Sequence, residues 1–219
     1  METSEEANKL INVSFNFAKS IFSNITLEIY KKLNFTNDSI YSSSKICGST
    51  RLIDVILKVS NNNLDLVITD GTSNIGTDSI HMANIFKNVN AIEFSKTNFD
   101  ALQNNVNILN NKKNMTCFNG DTNVIIKSLT QDLIYIDAPW GGRNYKTFEK
   151  LKLYLGETEI LDFYINNRSK AKYFIFKIPY NYDFEYFRKY ILDKVTIFPY
   201  KKDARIKYFL LVIEKDTSL

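Results

Sequence analysis

From about Asp65 onward the chain alternates short apolar runs with stretches whose apolar residues recur at helical spacing. That alternation predicts a largely parallel sheet wound with helices. Leu66-Val67-Ile68-Thr69 reads as a buried strand ending at Asp70, with Asp70 to Gly76 as the turn and Thr77 as cap of a helix through Phe86. Val89 to Ile92 predicts a second strand closed by Glu93. Lys96 to Leu109 then forms a helix with Phe99, Leu102, Val106 and Leu109 on one face. Met115 to Phe118 is a third strand, followed by Gly120-Asp121 and a short helix carrying Val124, Ile125, Ile126 and Leu129. Leu133 to Ile136 is a fourth, delivering Asp137-Ala138-Pro139-Trp140 at its C-terminal end. Beyond it the pattern predicts helices over 162–167 and 184–192, a fifth strand over 173–178, and an antiparallel pair, 195–198 with 206–213. The expected fold class is α/β and Rossmann-like, with a seven-stranded, mostly parallel sheet over residues 61–219. Residues 1–60 read as a small N-terminal helical extension, with Leu10, Phe15, Phe17, Ile21 and Phe22 available for packing, placed to cover one side of a site.

Composition changes this picture little. With 44% hydrophobic and 24% charged residues, the chain sits among ordinary globular proteins and not disordered ones. Its 219 residues suit one domain. The lean towards Asn, Lys, Ile, Phe and Tyr is the imprint of an AT-rich genome, such as a parasite's or a large virus's. A formal charge of +4 admits a polyanionic partner without requiring one. Cys47, Cys117 and His81 are too few for a disulfide framework or a zinc site, so a reducing compartment and no metal are expected. No run approaches the ~20 apolar residues of a membrane span, and the acidic start Met1-Glu2-Thr3-Ser4-Glu5-Glu6 is unlike a signal peptide. The expectation is a soluble intracellular protein, cytoplasmic or nuclear (in the host cytoplasm if the source is viral), with no membrane partner and a monomer favoured.

In open parallel sheets, ligands bind beyond the carboxyl ends of the strands. Asp70, Glu93, Asp121 and Asp137 stand at four successive such ends. Any one of them alone is an ordinary strand terminus or helix cap. Together they favour a cationic, ribose-bearing ligand. The turn Asp70-Gly71-Thr72-Ser73-Asn74-Ile75-Gly76 lacks the closely spaced glycine pair of the dinucleotide fingerprint, so it suits a ligand without phosphates, such as S-adenosylmethionine. Asp70 would then lie near the methionyl ammonium, Glu93 accept from the ribose hydroxyls, and Asp121 accept from the adenine amine with Phe94 as an apolar wall. Gly71, Thr72, Asn74, Gly76, Thr122 and Asp137 complete the expected cofactor set.

Asp137-Ala138-Pro139-Trp140 carries the most specific chemistry. An amine conjugated to a purine or pyrimidine is a poor nucleophile, because its lone pair is delocalised. A site that methylates it must accept hydrogen bonds from both amine protons as the nitrogen becomes pyramidal. The Asp137 side chain and a backbone carbonyl held by Pro139 are two convergent acceptors, and Trp140 can stack on the base. The plainer alternative is a strand ending in a Pro-Trp turn with its indole in the core. Against it, this is the only Trp of the chain, and Gly141-Gly142 leaves room around the ring.

Asp137-Ala138-Pro139-Trp140-Gly141-Gly142-Arg143-Asn144-Tyr145 resembles the Ser-Pro-Pro-Trp-Gly-Gly-Pro run, followed by a Tyr, of the trimethylguanosine synthases. These are class I methyltransferases acting on the 2-amino group of 7-methylguanosine RNA caps. The family's first loop is similar to Asp70 through Ser79, its second-strand acid and Asn pair to Glu93 and Asn104-Asn105, and its Gly-Asp to Gly120-Asp121. An upstream family segment looks like Lys32-Leu33-Asn34 and Tyr41-Ser42. The resemblance spans roughly residues 30–214. It implies S-adenosylmethionine as cofactor and capped RNA as partner. Asp137, Pro139 and Trp140 would be the catalytic group, and Lys32, Tyr41, Trp140, Arg143, Tyr145, Lys177, Tyr180 and Asn181 would contact the substrate. Asp137 stands where the family has Ser, Ala138 replaces a proline, and Asn74 replaces a glycine. A phosphate-binding Pro-Arg-Asn appears as Pro179-Tyr180-Asn181, so its charge would fall to Lys177, Arg143, or the cluster Lys201, Lys202, Arg205 and Lys207. An amine methyltransferase for ribosomal RNA guanine or DNA adenine, and a catalytically silent RNA-binding or capping-complex subunit, remain alternatives.

Overall fold

The structure, a computed structural model, describes residues 8–216. Helices α1 (Phe15–Ile21), α2 (Leu27–Tyr30), α3 (Ser39–Ser42) and α4 (Ile46–Val59) precede the first strand. Then come β1 (Val67–Asp70), α5 (Thr77–Ala83), β2 (Asn88–Glu93), α6 (Lys96–Leu109), β3 (Met115–Asn119), α7 (Thr122–Ile125) and β4 (Leu133–Ile136). A hairpin of β5 (Tyr154–Leu155) and β6 (Thr158–Glu159) leads to α8 (Ile160–Asn167) and β7 (Tyr173–Pro179). Helix α9 (Phe184–Tyr190) and strands β8 (Lys194–Lys202) and β9 (Arg205–Glu214) close the chain.

Seven strands form one sheet in the order β3-β2-β1-β4-β7-β9-β8. All neighbours are parallel except β9, which runs antiparallel to both β7 and β8. The winding moves outward from β1 through β2 to β3, then restarts on the other side with β4. The crevice between β1 and β4 is therefore the switch point where ligands of such sheets bind. Every position of β4 and β7 is buried, as expected of parallel strands covered on both faces. Side chains alternate between two cores: Leu133, Tyr135, Tyr173 and Ile175 pack with α4 and α5, while Ile134, Ile136, Phe174 and Phe176 pack with α8 and α9.

The extension makes a third core. Ile21, Phe22, Leu33 and Phe35 pack against Ile75 and Ile80 and against Leu102 and Val106 of α6. Leu10, a packing candidate, is instead 56% exposed and lends its backbone to a bridge with Thr36. Helix α5 starts one residue earlier than expected, at an N-cap Gly76 with φ of 96°, and makes no side-chain cap bond. A β-carbon on Gly76 would come within 2.7 Å of Leu102 Cδ1. Close packing and a left-handed backbone thus both select glycine there. The β5–β6 hairpin was not expected, since two-residue strands have no readable period.

Candidate active site

Asp70 ends β1 with 1% of its surface exposed. Its carboxyl accepts from Thr72 N at 3.1 Å and from Ser79 Oγ at 2.5 Å. Burial pushes its pKa up to about 7, against the pull of the Ser79 bond. Glu93, at the end of β2, accepts from Asn74 N and Ser95 N, each at 2.8 Å. Burial raises its pKa too, with the same two N–H groups opposing. Asp121 caps α7 by accepting from Asn123 N at 2.8 Å. Gly71 lies against the neighbouring strand: a β-carbon there would come within 2.5 Å of Ile136 Cδ1 and 2.7 Å of Thr122 Cγ2. Thr122 also donates to the Gly71 carbonyl, fastening the first loop to α7.

Asn74 has φ of 50°, a left-handed conformation that asparagine tolerates better than most residues and that explains its place where the related family has glycine. Its amide donates to Asp38 Oδ2 at 2.8 Å and Ser42 Oγ at 3.1 Å. Asn98 donates to the same Asp38 oxygen at 3.2 Å. Short helix α3, which carries the 72% exposed Tyr41, is thereby latched over the loop. Two large apolar side chains stand uncovered just past the ends of β2 and β3: Phe94 is 77% exposed and Val124 64%. Four carboxylates thus stand at or just past the ends of β1 to β4, with Asp70 and Glu93 buried and the exposed Phe94 and Val124 beside them, and the first loop has no closely spaced glycine pair for a phosphate.

Asp137 leaves β4 beside Lys177 of β7. Lys177 Nζ donates to Asp137 Oδ2 at 2.6 Å and to Ser44 Oγ at 3.0 Å. Burial would strip the ammonium of its proton, but Asp137 and Asp78 outweigh it and hold the lysine pKa above its ordinary value. Burial also lifts the Asp137 pKa, with Lys177 pulling the other way. Behind the pair, Asp78 accepts from Ser44 Oγ at 2.7 Å, Ser49 Oγ at 2.6 Å and Tyr135 OH at 3.1 Å. Thr72 Oγ accepts from Asp137 N at 2.8 Å, tying the motif to the first loop. Lys177 occupies only one oxygen of a carboxylate whose side chain is 20% exposed.

Trp140 is half-buried at the junction of the two sheet cores. Its indole N–H is buried without a hydrogen bond of good geometry, yet lies near enough to the Asp137 carboxyl to favour ionisation there. Its ring meets Tyr145 edge-on at 5.1 Å, and Tyr145 lies 6.4 Å from the 46% exposed Tyr180. Pro139 is exposed. Gly141 and Gly142 have φ of 86° and 71°, and a β-carbon on either would meet nothing within 4 Å, so backbone conformation alone selects them.

Hydrogen bonds and close contacts join Asp70, Gly71, Thr72, Asn74, Glu93, Thr122 and Asp137 at the C-terminal ends of β1, β2 and β4. Phe94 and Asp121 directly adjoin Glu93 and Thr122, Trp140 follows Asp137 with Tyr145 and Tyr180 beyond it, and Gly76 packs instead against Leu102 and Ile80. Two expected substrate contacts have other work, and a third, the exposed Lys32, bonds only through its backbone among the described residues. Lys177 is 9% exposed and committed to Asp137, so it positions the motif and does not reach a phosphate. Asn181 donates to the carbonyls of Tyr145 at 2.8 Å and Phe148 at 2.7 Å, bracing the aromatic turn. Lys32 offers its carbonyl to Asn104 on the flank of α6, on the opposite half of the sheet from Trp140. Arg143 lies in the same turn as Tyr145, its side chain outside the described set. Ser44, Ser49, Asp78 and Tyr135 escaped the sequence reading, being unremarkable singly; the signal was a lysine inside the apolar run Tyr173 to Pro179, which demands a buried carboxylate. Among the described residues no group of His, Cys, Asp and Glu is placed to hold a metal, and no helix is long and apolar enough to cross a membrane.

The sheet order defines a class I methyltransferase fold. The fold recurs in a human methyltransferase 10 domain containing protein (11% identity, 78% of this chain and 82% of that one, TM-score 0.61). It recurs also in a Thermus thermophilus 16S rRNA N2 methyltransferase solved with AdoMet and guanosine (13% identity, 80% and 45% coverage, TM-score 0.61). Residues 65–216 match the family described as RNA cap guanine-N2 methyltransferase, and the chain belongs to that family. An uncharacterized protein of Acanthamoeba polyphaga mimivirus is 34% identical over 151 residues, which is 63% of this chain and 59% of that protein.

Proposed function

We propose that the protein methylates the exocyclic 2-amino group of 7-methylguanosine at an RNA cap, using S-adenosylmethionine. The carrying observation is the Asp137 carboxylate, pinned through one oxygen by Lys177 and set beside a half-buried Trp140 at the switch point. Bound S-adenosylmethionine supplies the methyl group as a sulfonium electrophile. Asp137 accepts a hydrogen bond from the amine, and the Ala138 carbonyl, held by Pro139, accepts the second. As the amine nitrogen takes the methyl carbon, the carbon–sulfur bond of the sulfonium would break to leave a neutral thioether; the nitrogen becomes cationic, and these two acceptors stabilise its charge before a proton is lost to water. Trp140 stacks on the base, most strongly when 7-methylation makes it positive. Phe94 and Val124 would bracket the adenine, Glu93 would accept from the ribose, and Asp70 would set the negative charge behind the ammonium.

The test is methyl transfer to 7-methylguanosine-capped and unmethylated-capped dinucleotides, a ribosomal RNA fragment and DNA, with the position of the new methyl read by mass spectrometry. Methylation at N2 of the 7-methylated cap alone is expected. Trp140→Ala should lower kcat/KM about 5- to 150-fold, the worth of one base stack. Equal rates on both dinucleotides would remove the reading that Trp140 senses the 7-methyl group, and no methylation of either would remove the cap reading. Preference for ribosomal RNA or DNA would assign the amine elsewhere.

A further inference from the structure

An open groove of about 1040 Å³ lies between the start of α4 and the end of β8. Lys45, Arg51, Lys201 and Lys202 line it against one acid, Asp54. None of these four cations is ion-paired among the described residues, although pairs such as Lys150–Glu185 and Lys194–Glu214 form elsewhere on the surface. Surface lysines ordinarily spread apart. Here Lys45 is held below its usual pKa, first by burial and then by the Lys202 charge. Helix α4 opens into this groove with Lys45 as its N-cap, so no side chain covers its first N–H groups.

The groove is on the same sheet edge as the methylation motif. Pro179, Tyr208 and Tyr200 lie in register across β7, β9 and β8, and Tyr200 lines the groove. Three strand spacings, roughly 14 Å, separate β4 from β8. Ser44, which bonds Lys177, directly precedes groove residue Lys45. The flanking Arg205 and Lys207 continue the positive charge along the hairpin.

We infer that this groove binds the sugar–phosphate backbone of single-stranded RNA just downstream of the methylated nucleotide. The inference rests on the reading of a capped RNA substrate, and it assigns Lys201 and Lys202 to the RNA body instead of the cap phosphates. Groove cations neutralise successive phosphates, releasing counterions, so binding is sequence-independent and strongly salt-dependent. Substrate choice then has two parts: Trp140 reads the base, and the groove reads that a strand continues from it.

The test pairs Lys201→Glu/Lys202→Glu with Lys201→Gln/Lys202→Gln, each checked for wild-type thermal unfolding. Fluorescence anisotropy follows binding of an uncapped, labelled RNA of roughly a dozen nucleotides across a salt series. The glutamine pair should weaken binding about ten-fold and flatten the plot of log K against log salt by about 1.4, that is ~0.7 for each phosphate no longer neutralised. In methyl transfer, KM for a capped RNA of that length should rise by a similar factor relative to KM for the cap dinucleotide. Unchanged RNA affinity and salt slope in both folded variants would overturn the inference, as would an equal rise of both KM values. If no cap is methylated at all while RNA binding falls as stated, the cap reading fails and the groove stands.

Discussion

Replacing Lys177 by methionine keeps the length of the side chain and removes its charge. At 2.6 Å and an effective dielectric constant near 20, the attraction to Asp137 is about 6 kcal/mol before desolvation is deducted. Desolvation cancels much of that, but the variant leaves Asp137 and Asp78 without their shared cation. Losing one partner of a buried pair costs about 3–5 kcal/mol, and the 20% exposure of the Asp137 side chain places this pair near 3. In a chain of 219 residues that lowers Tm by about 6–12 °C. The loss depends on pH. Without Lys177 the folded-state pKa of Asp137 rises further above its unfolded value, so the folded state binds the extra proton. Stability is then retained at low pH and lost as pH rises through the raised pKa, making the deficit larger at pH 8 than at pH 5.5. Activity at neutral pH should fall, with the acid limb of the kcat profile displaced to higher pH. Thermal unfolding and methyl transfer are compared at both pH values, alone and in an Asp137→Asn background. The asparagine should remove most of the cost, because the unpaired charge is gone. A Tm within about 2 °C of wild type at both pH values, or the same penalty in both backgrounds, would refute the account of a coupled pair.

Asp70 gives a second pH dependence. Its carboxyl has a pKa of about 7 in the free protein, so a cation beside it binds better as pH rises through that value. Calorimetric affinity for S-adenosylmethionine should therefore increase from pH 6 to 8, and an Asp70→Asn variant should lose the trend. Asn74→Ala removes the amide that holds Asp38 and Ser42 and places a β-carbon residue without asparagine's tolerance at φ of 50°. It should destabilise by about 1–2 kcal/mol and raise hydrogen exchange across 38–42; unchanged exchange there would deny the latch. At the β8–β9 turn, Asp203 and Ala204 have φ of 52° and 59°. Ala204→Gly should raise stability by about 1 kcal/mol in urea unfolding, and a loss would show that the alanine methyl packs usefully.

The pattern of apolar runs was enough to determine seven strands, their rough ends and the position of each carboxylate, because buried parallel strands and their helices differ in period. Asp137-Ala138-Pro139-Trp140 was readable as a candidate for amine chemistry, since both proposed acceptors and the aromatic lie within four consecutive residues. Helix α5 was legible except at its ends: it starts one residue early, where Leu102, distant in sequence, leaves no room for a β-carbon on the cap Gly76, and it stops at Ala83, three residues before the expected Phe86.

What the tertiary structure alone decided is the company these residues keep. Lys177 and Asp137 are 40 positions apart and meet only because β7 is laid beside β4. Ser44, Ser49, Asp78 and Tyr135 are ordinary residues in the chain, and their shared carboxylate exists only where α4, α5 and the sheet converge. The same packing turned a lysine expected at a phosphate into the partner of the methylation motif. A charge buried among apolar strands must find its opposite nearby, and sequence spacing carries no record of which one it finds.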